Sequence, residues 1–265
     1  MFPLKDNIPL ARLPLITVAL VAINVIVYLL EIRHGGSFLG GPSENVAVRW
    51  GAIPYEFTHP GDHCNLVGVR TLEGLGSTVV CQGQRGVVGT PPAQPATWAT
   101  AFTSMFLHGS FLHIFGNMLF LAIFGPTVED AMGRGRYLSF YLLGGLVALG
   151  AQVLVRPDST IPTLGASGAI AAVLGGYVLL YPRARVLTLV FMIFFVTIVE
   201  VPALLLLGLW FVVQLLFGAA GLAGPIGGDE GVAYFAHVGG FLFGALVVRI
   251  FVGRGRPESP PLPVY

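Results

Sequence analysis

Several stretches of this chain are too long and too apolar to be the core of a water-soluble domain. Between residues 13 and about 32 the only charged side chain is Glu31. About 20 such residues span the hydrocarbon core of a bilayer as a helix. Similar runs lie at about 111–132, 137–155, 167–182, 203–221 and 234–252. With 55% apolar and only 10% charged residues, the composition agrees. Backbone groups in lipid must be hydrogen-bonded internally, so apolar runs of this length are read as helices and the chain as an all-α polytopic membrane protein. The first run follows Lys5 and Arg12, is too long for a signal-peptide core, and has no small-residue cleavage site after it. It is read as a retained span. A net charge of +1 offers nucleic acid no basic patch.

Two stretches depart from this pattern. Residues 34–100 are polar and rich in Gly and Pro, with no run able to cross, and form a long loop. Residues 187–199 are apolar but short, and Glu200 and Pro202 cut them from the run that follows. A piece of that length is expected to lie in the interface or dip into it, leaving six spans. Charge placement agrees. With the N-terminus inside, Lys5, Arg12, Arg134, Arg136, Arg183, Arg185, Arg249, Arg254 and Arg256 are cytoplasmic, nine of the 14 basic residues. The expected organisation is a cytoplasmic tail over residues 1–12, a membrane domain over 13–252, and a Pro-rich cytoplasmic tail over 253–265. A cell (plasma or inner) membrane is the expected location, with membrane lipids around the domain.

In this topology four polar residues fall at one depth. Ser167 opens the fourth run within Gly165-Ala-Ser-Gly168, His237 sits in the first turn of the sixth, and His113 and Asn117 in the first turns of the second. All four belong within roughly 10 Å of the outer interface. Each alone reads as interhelical hydrogen bonding, but together, on three spans, they mark a site. His113 and Asn117, four apart, share one helix face. Gly168, Ala172 and Gly176 make a small-residue stripe, and Gly240 and Gly244 another, so the fourth and sixth spans are expected to touch closely. A serine hydroxyl becomes a nucleophile when a base such as histidine takes its proton. The oxyanion formed on attack needs preset donors, for which the Asn117 amide, the His113 imidazole and the Ser167 backbone amide are candidates. No carboxylate falls at that depth to orient His237. A Ser–His dyad is expected, with Glu129 and Asp130 at the opposite end of their span.

The motifs His108-Gly-Ser-Phe-Leu-His113-Ile-Phe-Gly-Asn117, Gly165-Ala-Ser167-Gly168 and Ala236-His237-Val-Gly-Gly240-Phe-Leu-Phe-Gly244 together resemble the rhomboid family of intramembrane serine proteases. The resemblance covers about residues 100–250. It implies a six-transmembrane-helix rhomboid fold, Ser167 as nucleophile, His237 as general base, and His113 and Asn117 on the oxyanion side of a water-filled cavity. It implies transmembrane protein substrates, no cofactor, no metal, and a structural role for Glu129. Two features depart from the pattern. Members carry a Trp-Arg pair in the first loop where this chain has Arg49-Trp50, and the loop holds an insertion over about residues 60–95.

That insertion contains His59, His63, Cys64 and Cys81. On the outer side a Cys64–Cys81 disulfide is expected ahead of free thiols or a zinc site, whose spacing template is absent. His108 has no assigned role, and Gly227 to Gly231 is read as a flexible cap over the site. The reading from another class is a non-proteolytic membrane chaperone, or a transporter, that uses the polar cavity for binding. Transport fits less well, because the polar groups gather on one side and no inverted repeat is visible.

Overall fold

The computed structural model describes residues 2–71, 74–84, 94–191, 196–223 and 232–252. The expected cap at 227–231 and tail at 253–265 lie outside them. The helices are α1 (Leu15–Arg33), α2 (Glu44–Trp50), α3 (Pro54–Thr58), α4 (Thr97–Thr103), α5 (Phe111–Met132), α6 (Arg134–Val155), α7 (Ser167–Leu180), α8 (Ala203–Ala223) and α9 (Tyr234–Phe251). Five of them, α1, α5, α6, α8 and α9, are long and apolar enough to cross a membrane. The chain is a polytopic membrane protein with a helical membrane part. The run at 167–182 forms a shorter apolar helix of 14 residues. At 1.5 Å per residue it reaches about 21 Å, against roughly 30 Å of hydrocarbon.

That short helix is the axis of the bundle. Every residue of α7 from Gly168 to Tyr177 is buried, packed by α5, α6 and α9. It has no polar face because it meets protein on all sides. The small-residue stripes meet as expected. A Cβ on Gly240 would stand 2.2 Å from the Gly168 carbonyl oxygen, and one on Gly244 1.9 Å from that of Ala172. Only glycine lets the two backbones approach so closely.

At one end of the bundle, Glu129 of α5 closes the start of α1. Its carboxylate accepts from the backbone amides of Ile16 and Thr17 at 3.0 and 2.8 Å and from the Thr17 hydroxyl at 2.8 Å. These amides belong to the first turn of α1, where no intrahelical acceptor exists and the helix dipole favours negative charge. At the same end, Asp6 accepts from Thr127 of α5 at 2.6 Å and from Tyr177 of α7 at 3.0 Å.

Asp6 belongs to a sheet that the all-helical expectation did not include. Strands β1 (Phe2–Asp6), β4 (Arg185–Phe191) and β5 (Val196–Pro202) pair antiparallel in the order β1-β4-β5. The ambiguous piece at 187–199 thus falls in two antiparallel strands rather than a helix, and part of the expected N-terminal tail supplies the third strand. The residues suit strands, with Val186, Val190, Val196, Thr197, Ile198, Val199 and Val201 all β-branched. The loop at 34–100 holds α2, α3, α4 and a second hairpin, β2 (Cys64–Thr71) with β3 (Gly74–Cys81). Cys64 and Cys81 pair across its open end and form a disulfide. Both sulfurs are consumed, which removes the free-thiol and zinc alternatives.

Candidate active site

Ser167 is the first residue of α7, held there by Gly165 and Ala166. Gly165 has φ +119°, a left-handed conformation strained for any side chain, and its amide donates to the Ser104 carbonyl at 2.8 Å. A Cβ at that position would also lie 2.8 Å from the His113 ring. The glycine therefore makes the turn into the helix and leaves room for the imidazole. The opening amides of α7, including that of Ser167, have no acceptor within the helix.

His237 enters from the first turn of α9, and its Nε2 meets Ser167 Oγ at 2.7 Å. The approach of α9 to α7 at Gly240 sets this spacing one turn below. On the other side of the ring, Nδ1 lies 2.7 Å from Gln214 Oε1 of α8. The Gln214 Nε2 in turn donates to the Trp210 carbonyl at 3.3 Å. Trp210 itself lies beside the His237 ring, centroid to centroid 5.7 Å. The expected Ser–His dyad did not include Gln214. Its signal was present in the chain, as a buried amide in the middle of an otherwise apolar run, where an unsatisfied polar group is costly.

His113 and Asn117 occupy the first two turns of α5, which is capped by Ser110, whose hydroxyl accepts from the His113 amide at 3.2 Å. Asn117 is buried and its Nδ2 has no hydrogen-bond partner. Both residues line one cavity of about 530 Å³ with Ser167, Gly165, Gly168 and His237. Gly240 and Gly244 lie at the contact of α7 with α9. His108, expected at the interface without a role, is fully buried, with Nδ1 donating to the Phe106 carbonyl at 3.2 Å. Its ring stands edge-on to His113 at 5.2 Å. Burial, with the neighbouring His113 charge adding to it, pushes its pKa down to about 3. His108 is therefore a neutral wall behind His113.

The arrangement is chemically specific. A hydroxyl touches an imidazole nitrogen, an amide donor without a protein partner lines the same cavity, and helix-terminal amides lie beside the hydroxyl. Fold and site define a multi-pass membrane protein with a serine–histidine pair in an internal cavity. Residues 95–254 match the Rhomboid domain, and the chain belongs to the rhomboid family. It is 35% identical over 149 residues to Rhomboid protein 1, mitochondrial, of Saccharomyces cerevisiae, covering 54% of this chain and 39% of that protein. It is 33% identical over 158 residues to Rhomboid-like protein 11, chloroplastic, of Arabidopsis thaliana, covering 57% and 51%. Putative rhomboid protease YdcA of Bacillus subtilis is 30% identical over 80 residues, covering 30% and 40%. The matches thus span from about two fifths to a half of these relatives' own length.

Proposed function

We propose that this chain is an intramembrane serine endopeptidase that cleaves single-span membrane proteins near the outer membrane face. The observation that carries the reading is the 2.7 Å contact between Ser167 Oγ and His237 Nε2, set in a cavity inside an apolar helix bundle. In the proposed reaction Ser167 Oγ attacks the scissile carbonyl carbon while His237 Nε2 takes the hydroxyl proton. The oxyanion accepts hydrogen bonds from Asn117 Nδ2, the His113 imidazole and the Ser167 amide. Collapse of the tetrahedral intermediate breaks the C–N bond, and the imidazolium returns its proton to the leaving amine. Water then hydrolyses the acyl-enzyme, with His237 again as base.

Substrate class follows from the setting. A peptide bond in a formed helix is shielded by its own hydrogen bonds, so segments with small or helix-destabilising residues are the proposed substrates. The membrane topology belongs to the same proposal: six spans, α7 the shortest, both termini cytoplasmic, in the cell or inner membrane. A Cys64–Cys81 disulfide in the loop supports an oxidising outer side for the 34–100 segment.

The test is covalent labelling by a fluorophosphonate probe in detergent. The wild-type chain should form an adduct that peptide mass mapping assigns to Ser167, and Ser167→Ala and His237→Ala should each abolish it. A chain that uses the cavity only for binding would leave Ser167 unmodified.

A further inference from the structure

We propose that Gln214 is a positioning residue for His237, holding its imidazole in the tautomer and orientation that present a bare Nε2 to Ser167. The inference rests on the serine protease reading given above, and adds a third residue to its serine–histidine pair.

The two ends of the Gln214 amide meet different partners. The Trp210 carbonyl can only accept a hydrogen bond, so the amide end facing it, at 3.3 Å, must be Nε2. Reversing the amide would set two carbonyl-type oxygens against each other. With Nε2 so fixed, Oε1 faces His237 Nδ1 at 2.7 Å and can only accept. Nδ1 must then carry the proton. A neutral imidazole protonated at Nδ1 has its lone pair at Nε2, which is the atom 2.7 Å from Ser167 Oγ. The chain Trp210 carbonyl, Gln214 amide, His237 ring and Ser167 hydroxyl therefore has one consistent direction of donation. The opposite tautomer would turn an N–H toward Ser167, and no proton could be taken.

The surroundings leave this task to Gln214. Among the described residues the cavity wall carries no carboxylate, lysine or arginine. His113 of α5 is the titratable group that faces His237 across the cavity, with His108 behind it. From α7 the ring meets the Ser167 hydroxyl, and from α8 Gln214 and the tilted ring of Trp210. An amide also differs from a carboxylate in a testable way. It orients the ring without adding a charge that would favour the imidazolium.

The experiment is the second-order rate of fluorophosphonate labelling at Ser167, measured from about pH 5 to pH 9, for the full chain and two variants. Gln214→Leu removes the acceptor at similar size and leaves Nδ1–H unpaired, and its labelling should slow roughly 10- to 100-fold. Gln214→Glu keeps an acceptor for Nδ1–H and loses the donor to the Trp210 carbonyl. It should label within a few-fold of wild type at high pH, with the acid limb of its profile moved up by about one pH unit. A residue that merely packs α8 would not move that limb. Wild-type rates in Gln214→Leu, or an unmoved acid limb in a folded Gln214→Glu, would overturn the proposal while leaving the serine protease reading intact. No labelling of the wild-type chain would overturn that reading, and this proposal with it.

Discussion

Asn117 keeps a buried amide donor without a protein partner at the start of α5, on the wall of the cavity. If it waits for an oxyanion, Asn117→Ala should lower turnover of a single-span reporter by about 10²-fold with little change in KM. Full turnover with only a lower melting point would make it interhelical glue instead. At this scale the chain was readable wherever a motif fixes depth. Ser167, His237, His113 and Asn117 were selected by position along separate apolar runs, and they line one cavity. Gln214 escaped because its partner lies on another helix, and no spacing along the chain connects the two. His108 escaped for a related reason, since hydropathy set it at the water boundary while the loop at 34–100 folds back over it. The backbone of that loop reaches the His108-Gly109 turn at Gly41, where a Cβ would stand 2.6 Å from Gly109.

Elements in this molecule are joined at a few close contacts with separable consequences. The contact of Gly240 with the Gly168 carbonyl ties the helix bearing Ser167 to the helix bearing His237. Gly240→Ala should force them apart, costing about 1–3 kcal/mol of stability. It should also reduce Ser167 labelling in the fraction that remains folded. Glu129 acts at the other end of α5, 12 residues beyond Asn117 and so about 18 Å away along the axis. Glu129→Ala leaves two α1 amides and a threonine hydroxyl without their acceptor, and should destabilise by roughly 2–3 kcal/mol. Labelling of the folded fraction should be unchanged, which separates a structural carboxylate from a catalytic one. The helices themselves follow the apolar runs to within a few residues, because run length in a bilayer dictates the element. The strands did not follow, since a short apolar run reads equally as an interfacial helix or a buried strand. β4 acquires its identity by pairing on one edge with β1, some 180 residues away in the chain, and on the other with β5.

At the scale of the whole molecule, the hairpin decides on which side each helix begins. Because 185–202 returns to the end it left, α7 finishes and α8 starts at the end of the bundle that holds Asp6 and Glu129. The starts of α5, α7 and α9 then gather at the opposite end, around one cavity. On the proposed orientation, single cysteines introduced at 43 or 59, on a background lacking Cys64 and Cys81, should react from outside intact cells. Cysteines at 134 or 183 should react only after the inner face is opened. The reverse pattern would put the cavity on the cytoplasmic side. Proteolysis inside the membrane can be measured by reconstituting the full chain in vesicles with a single-span reporter and sequencing the product ends by mass spectrometry. One new N-terminus within or beside the outermost turns of the reporter helix, absent with Ser167→Ala, is the expected result. An uncut reporter beside a correctly folded wild-type chain, or equal cutting by Ser167→Ala, would contradict it.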